Sequence, residues 1–246
     1  MTQSVAPLFS VITPCYNAQK KLEKTYRSLS GFSTECSLEY LVIDGASTDG
    51  TMDWLSSQDQ SALRWISEKD TGVYDAMNKG ITLARGRFLL FLGAGDKLLP
   101  RGLKLVSDYI KRNGSKIPRF IYGDVQEMDT GLQCSAGTFS KSRICRENIC
   151  HQGIFYERTL FELLGKYELR YPLMADWAFN LKCWGDKRVK KIHLPCEIAE
   201  FEGNGISSTS RDIPFAQDRL QLIKERIGLA HAFRYRLEEA IKRRMF

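Results

Sequence analysis

The chain of 246 residues has no apolar run near the ~20 residues that a membrane-spanning helix needs. Runs such as Phe88–Leu92 end long before that length. Its three histidines stand nowhere at finger spacing from two cysteines, which argues against structural zinc. The seven cysteines are an odd number without a Cys-x-x-Cys pair, so they read as reduced thiols of a cytosolic protein. Neither Gly-x-Gly-x-x-Gly nor the Walker A pattern occurs, which disfavours dinucleotide dehydrogenases and P-loop enzymes. There is no internal repeat and no low-complexity segment. The apolar start carries no basic leader, so no signal peptide is expected.

What is present is the composition of a globular protein, 43% hydrophobic and 26% charged. The length admits one large domain or a domain with a short appendage. Basic residues exceed acidic ones, 36 to 29, for a net charge of +7. The segment 211–246 holds nine basic and five acidic residues, so the excess is concentrated there. Such a surplus suits nucleic acid, an anionic membrane face or a phosphorylated small molecule. No nucleic-acid motif accompanies it, so no nucleic acid partner is expected.

Four short apolar runs, three of them closed by turn residues, punctuate the first hundred residues: Phe9–Thr13, Leu41–Ile43, Leu63–Ser67 and Phe88–Leu92. Continuous apolar strands are buried on both faces, as in parallel sheets. Between them lie helical stripes: Leu22, Tyr26 and Leu29; Met52 and Leu55; Ala76, Met77, Gly80, Ile81 and Ala84. The alternation predicts an α/β fold, a Rossmann-like, mostly parallel sheet flanked by helices. Farther on, the pattern predicts a strand pair, Phe120–Met128 and Leu132–Phe139, around a turn at Asp129-Thr130-Gly131. It also predicts helices over Leu160–Leu164 and Trp177–Trp184 and a strand over Val189–Leu194. From Phe215 onward it predicts one long basic amphipathic helix, broken near Gly228.

Ligands of parallel sheets bind outside the carboxyl ends of the strands. Asp44, Asp70 and Asp96 follow three strands there, and clustered carboxylates can orient polar ligand groups or hold a hard divalent cation. Taken singly, each also reads as a turn or N-cap residue. Tyr16, in a loop after Pro14, either stacks on a base or packs ordinarily. Gly93-Ala94-Gly95-Asp96 allows close backbone approach before a single acid. Asp176 opens an amphipathic pattern and reads as its N-cap. His151 reads as a core or hydrogen-bonding residue, and Asn204 as a turn residue.

FSVITPCYN (Phe9–Asn17), YLVIDGASTDGT (Tyr40–Thr51), SEKDTGVYDAMNKG (Ser67–Gly80) and GRFLLFLGAGD (Gly86–Asp96) resemble, in this order and spacing, family 2 glycosyltransferases of the GT-A fold. With Cys150-His151-Gln152, Met174-Ala175-Asp176-Trp177 and AEFEGNGISS (Ala199–Ser208), the chain is similar to the exopolysaccharide branch that contains a colanic acid glycosyltransferase. The resemblance covers about 8–210. It implies a catalytic domain over 1–210, with a nucleotide-binding half to about 100, an acceptor half beyond it, and a helical extension over 211–246.

The resemblance also implies roles. Thr13, Pro14, Tyr16 and Asn17 match the first nucleotide loop, and Asp44 the carboxylate that hydrogen-bonds the base, typically uracil. Asp70, Asp75, Asn78 and Lys79 match the segment that frames the nucleotide-sugar, with Gly95 beside it. Asp96 matches the last acid of the metal motif, for Mn2+ or Mg2+, and Asp176 the general base. His151, Gln152, Trp177 and Asn204 match positions that place acceptor or diphosphate. Many relatives carry Asp-x-Asp-Asp where this chain has Gly93-Ala94-Gly95-Asp96, so the acid that contacts ribose is missing. The implied activity is inverting transfer from a nucleotide-sugar, typically a UDP-sugar, to a saccharide on a polyprenyl diphosphate. The implied place is the inner face of the cytoplasmic membrane, with the basic helix against anionic lipid. The alternative is a non-catalytic sugar-nucleotide-binding scaffold of the same fold.

Overall fold

The computed structural model describes residues 6–30, 32, 37–61, 63–203 and 210–245, with side chains to residue 241. Its centre is a nine-stranded sheet in the order β3-β2-β1-β4-β8-β6-β9-β5, with β7 paired to β6. The first strands are β1 (Phe9–Cys15), β2 (Leu38–Asp44), β3 (Leu63–Ser67) and β4 (Phe88–Phe91), all parallel. They alternate with α1 (Gln19–Leu29), α2 (Thr51–Ser57) and α3 (Val73–Leu83). Then come β5 (Lys97–Leu98), α4 (Pro100–Arg112), β6 (Arg119–Glu127), β7 (Gln133–Cys134) and α5 (Lys141–Ile144). A 3-10 turn (His151–Gly153) leads into β8 (Ile154–Glu157), α6 (Thr159–Leu164), α7 (Ala175–Gly185) and β9 (Lys190–Phe201). Two helices close the chain, α8 (Ile213–Arg226) and α9 (Leu229–Met245).

Alternation within β1 divides the core. Phe9, Val11 and Cys15 join Leu22, Leu55 and Leu103 beneath α1, α2 and α4. Ile12 faces the other way, into a cluster with Met77, Phe179, Phe215 and Ile223 from α3, α7 and α8. Each fully buried Leu, Ile or Phe contributes ~1.5–3 kcal/mol over an exposed one, so both layers hold the strand ends in place. Pro14 is tolerated in this central strand because the β1–β4 ladder ends at Ile12–Phe91, before a donor from residue 14 is needed.

Several expectations need correction. β1 runs through Cys15 and all of it is buried, so Thr13 and Pro14 are strand residues and the loop begins at Tyr16. Leu132–Phe139 is strand only over Gln133–Cys134, because Ser135 (φ 52°) and Gly137 (φ 77°) turn the backbone away. β9 continues past Pro195, where a register shift opposite Gly123 absorbs the missing donor. The break at Gly228 (φ 126°) is present. α8, however, is no appendage: Phe215, Leu222, Ile223 and Ile227 belong to the main core. A Cβ on Gly185 would lie 1.8 Å from the Arg226 carbonyl, so glycine there lets α7 and α8 meet backbone to backbone.

Candidate active site

The loops after β1, β2 and β3 meet at one mouth. Asn17, in left-handed conformation (φ 47°), donates its N–H to Ser47 Oγ at 2.8 Å and accepts the Thr48 N–H at 2.8 Å. Tyr16 is 65% exposed beside this junction. Gly45 lies between Tyr16 and Asp70: a Cβ there would come 2.7 Å from the Asp70 carboxylate and 3.4 Å from the Tyr16 ring. Asp70 accepts the Gly72 N–H at 2.9 Å. Lys79 holds the same loop, donating to the Lys69 carbonyl at 2.7 Å and pairing with Glu68 at 2.9 Å. Asp75 accepts from the Thr71 N–H at 3.0 Å and hydroxyl at 3.2 Å, closing the first turn of α3.

Two residues matched to the nucleotide face inward. Asp44 is fully buried and accepts from the Ser47 N–H and hydroxyl, the Ser67 hydroxyl and the Cys15 thiol. Its carboxylate therefore shapes the Asp44–Ser47 turn, and a base would have to displace one of these donors. Burial, together with the Asp44 charge, pushes the Cys15 thiol up, so Cys15 is inert here. The Asn78 amide is taken up at both ends by Tyr167, donating to its carbonyl at 2.9 Å and accepting its N–H at 3.0 Å. Asn78 docks α3 on the segment before α7 rather than lining the mouth.

Across β4, Asp96 is buried and accepts from the Gly93 N–H at 2.7 Å, Gln152 Nε2 at 3.3 Å and the Glu202 N–H at 3.3 Å. None of these donors carries a full charge. Burial raises its carboxyl above the ordinary range, against the Gly93 hydrogen bond and the nearby His151. Gly95 (φ 108°) brings the backbone against the Glu202 carboxylate, which would lie 2.8 Å from a Cβ. Glu202 is held below its ordinary value, first by Lys21 and then by Lys24. Among the described residues no three His, Cys, Asp or Glu side chains converge closely enough to hold a metal by themselves.

Asp176 stands at the second position of α7, not at the cap, which is Met174. It is 4% exposed, and donors surround it. Tyr74 Oη lies 2.7 Å from Oδ1, the Trp177 N–H 2.8 Å from Oδ1, and Asn148 Nδ2 2.9 Å from Oδ2. His151 Nδ1 stands 3.5 Å from Oδ2. His151 thus touches Asp176 while its neighbour Gln152 touches Asp96, so one short turn before β8 joins the two carboxylates.

Trp177 points away from this junction. Its Nε1 donates to the Ile144 carbonyl at 2.8 Å, and Arg219 lies 3.9 Å over its ring. It lines a groove of about 830 Å³ with Met174, Phe215, Arg219, Tyr235 and Arg236, between α7, α8 and α9. Asn204 lies outside the described residues. No sequence motif gives a role to Tyr74, Asn148, Glu202 or Asp212. Asp212 caps α8 through the Phe215 N–H and accepts the Leu173 and Met174 N–H groups at 2.9 Å each, fixing the start of α7. The Asp-x-Pro at 212–214 was a readable helix-start signal. The other three act through long-range contacts that spacing does not encode.

The parallel edge in the order β3-β2-β1-β4 carries an exposed aromatic and buried acids at its carboxyl end, where open α/β sheets bind their ligands. Residues 10–141 match Glycosyl transferase family 2, and the chain belongs to that family. A "PGL/p-HBAD biosynthesis glycosyltransferase" of Mycobacterium bovis (strain BCG / Pasteur 1173P2) is 38% identical over 217 residues, 85% of this chain and 83% of the relative. Escherichia coli chondroitin synthase is 25% identical over 84% of this chain but only 31% of its own length. Among solved structures, S. aureus TarS 1-349 in complex with UDP-GlcNAc superposes with a TM-score of 0.67 at 18% identity, covering 89% of this chain and 66% of that one. The mannosyltransferase PcManGT from Pyrobaculum calidifontis, in complex with GDP-Man and Mn2+, gives 0.64 at 19% identity, covering 91% and 65%. At these identities the two structures share the fold.

Proposed function

We propose that this family 2 glycosyltransferase moves a sugar from a UDP-sugar to a lipid-linked saccharide, within the exopolysaccharide, capsule or O-antigen branch, by one inverting displacement. The observation that carries the reading is the His151–Gln152 turn, whose two side chains reach Asp176 and Asp96 respectively. Tyr16 stacks on the base, Asn17 and Asp44 hold the base-side turn, and Asp70 with Lys79 frames the sugar-nucleotide. Asp96 is buried and its hydrogen-bond donors are the neutral Gly93 and Glu202 N–H groups and the Gln152 amide; one carboxylate plus substrate phosphates is a common way to hold Mg2+ or Mn2+. The donor set therefore fits such an ion, which would neutralise charge developing on the leaving diphosphate.

The protein's own part is placement and proton transfer. Lys21 and Lys24 both pair with Glu202, whose carboxylate lies against Gly95. Attack by the acceptor hydroxyl from the opposite face, with its proton taken by the Asp176 carboxylate, inverts the anomeric carbon. The closed network around Asp176 holds that carboxylate in one geometry before substrate arrives.

A thermal-shift series tests the donor. With Mn2+, UDP and UDP-sugars are expected to raise the melting temperature by several degrees, and GDP-mannose by much less, since only a ligand of the folded state stabilises it. Equal response to GDP-mannose would overturn the base assignment; silence toward every nucleotide-sugar would overturn the donor reading.

We place the protein peripherally, at the inner face of the cytoplasmic membrane. Leu229, Phe233, Leu237 and Ile241 form an exposed stripe along α9, flanked by Arg226, Arg234 and Arg236. No helix among the described residues is long and apolar enough to cross a membrane, whereas such a stripe suits its surface. Deleting 215–246 would strip the core of Phe215 and Ile223, so the usable variant is Leu229→Ser with Phe233→Ser. It should lose most co-flotation with phosphatidylglycerol vesicles while keeping its UDP affinity; unchanged flotation would remove the stripe from membrane contact.

A further inference from the structure

We propose that the groove between α7, α8 and α9 seats the diphosphate of a polyprenyl-linked acceptor, with Arg219 and Arg236 as its anion-binding groups. The proposal rests on the lipid-linked acceptor reading above and gives that acceptor a place. α8 and α9 lie beyond residues 10–141, the part that matches the family, so the groove is a feature of the second half of this chain. Its volume of about 830 Å³ is that of an ordinary ligand site. Trp177, Phe215 and Tyr235 give it aromatic walls, and Arg211, Arg219 and Arg236 bring three guanidinium groups to it.

Arg219 is fixed in that wall. Its guanidinium lies over two rings, 3.9 Å from the Trp177 centroid and 4.8 Å from the Tyr235 centroid. Nε and Nη2 donate to the Cys145 carbonyl at 3.2 and 2.7 Å. A guanidinium carries five N–H donors in a rigid fork, and these two bonds leave Nη1 uncommitted. Burial holds Arg219 below its ordinary value, against Tyr235 and Glu239, and an anion beside it would relieve that cost. The acids of the groove do not cancel its cations. Asp212 is taken up by the Leu173, Met174 and Phe215 N–H groups, and Glu239 is the second acid against three arginines. Among the described residues none of these arginines forms an ion pair with a carboxylate. Planar guanidinium groups match the paired oxygens of a phosphate.

The groove lies between the two places such an acceptor must reach. Met174 and Trp177, which flank Asp176 in α7, line it, so it opens within one helical turn, about 5.4 Å of axis, of that carboxylate. On the far wall α9 supplies Tyr235, Arg236, Glu239 and Ala240, while Phe233, Leu237 and Ile241 of the same helix form the exposed stripe. Arg236 and Ala240 each precede a stripe residue, so groove and stripe share an edge of α9. A prenyl chain leaving the groove over that edge meets the stripe assigned to the membrane face. The saccharide at the other end of the diphosphate extends past Met174 toward Asp176. Charge complementarity and this continuity select the carrier diphosphate as the occupant.

The probe is farnesyl diphosphate, titrated calorimetrically into the full chain with UDP and Mn2+ at saturation, so that the nucleotide site is filled. It is expected to bind, with farnesol and inorganic pyrophosphate each weaker by about tenfold or more. Arg236→Glu, at an exposed position, and Arg219→Met, which keeps most of the side-chain volume, should each weaken farnesyl diphosphate by about tenfold or more and leave UDP affinity within about twofold. Unchanged binding in either folded variant would overturn the proposal. So would farnesol binding as tightly as the diphosphate, which marks the apolar stripe alone. Equal binding of pyrophosphate or of short-chain phosphatidylglycerol overturns it too, since these mark a general anion site or a headgroup site. Absence of farnesyl diphosphate binding overturns it together with the carrier-lipid reading of the acceptor. Silence toward UDP in the thermal-shift series overturns the donor reading alone, and the same titration without nucleotide then decides the groove.

Discussion

Asp96→Ala should lower Mn2+-dependent UDP affinity about 100-fold, a loss of ~2.7 kcal/mol, and leave metal-free UDP affinity nearly unchanged. The carboxylate is enclosed by the Gly93 and Glu202 N–H groups and the Gln152 amide, none of which neutralises it. Burial raises its carboxyl, against the Gly93 hydrogen bond and the nearby His151, and a divalent ion shared with the diphosphate would relieve that cost. Alanine also leaves three donors without their acceptor, each worth ~1–3 kcal/mol if water does not replace it. A fall in melting temperature is therefore expected as well, and Asp96→Asn serves as the variant that keeps the volume. Calorimetric titration of UDP with and without Mn2+ separates the effects. If the folded variants keep the full metal dependence, Asp96 does not hold the ion.

The first half of the fold was legible because its strands are short, β1, β2 and β4 are almost wholly buried while the edge strand β3 is partly so, and each β–α unit ends in a turn. The acids at Asp44, Asp70 and Asp96 fall where parallel strands end. What spacing could not show is direction. Asp44 follows the same pattern as Asp70, yet its carboxylate is closed off by Ser47, Ser67 and Cys15. Asn78, inside the most regular motif, is consumed by the Tyr167 backbone. The second half was less legible because β8 is only four residues long and runs antiparallel between β4 and β6. No periodicity marks so short a strand, yet it carries the His151–Gln152 turn at its head. α8 read as a tail because its cationic face dominates the composition, while Phe215, Leu222 and Ile223 are spent on the core.

Asp176→Asn is expected to reduce kcat about 100- to 10,000-fold, the range a general base contributes, with UDP affinity within about threefold of wild type. The amide keeps its oxygen toward Tyr74 and the Trp177 N–H, because both are donors. Its NH2 group then faces Asn148 and His151. Asn148 meets a second donor and must rotate, which costs stability but leaves the nucleotide loops untouched. The decisive measurement is a double-mutant cycle in kcat. If Asp176 and His151 act as one unit, Asp176→Asn combined with His151→Gln is scarcely slower than either variant alone. Multiplicative losses would mean that Asp176 removes the proton by its own route, with His151 serving a separate end.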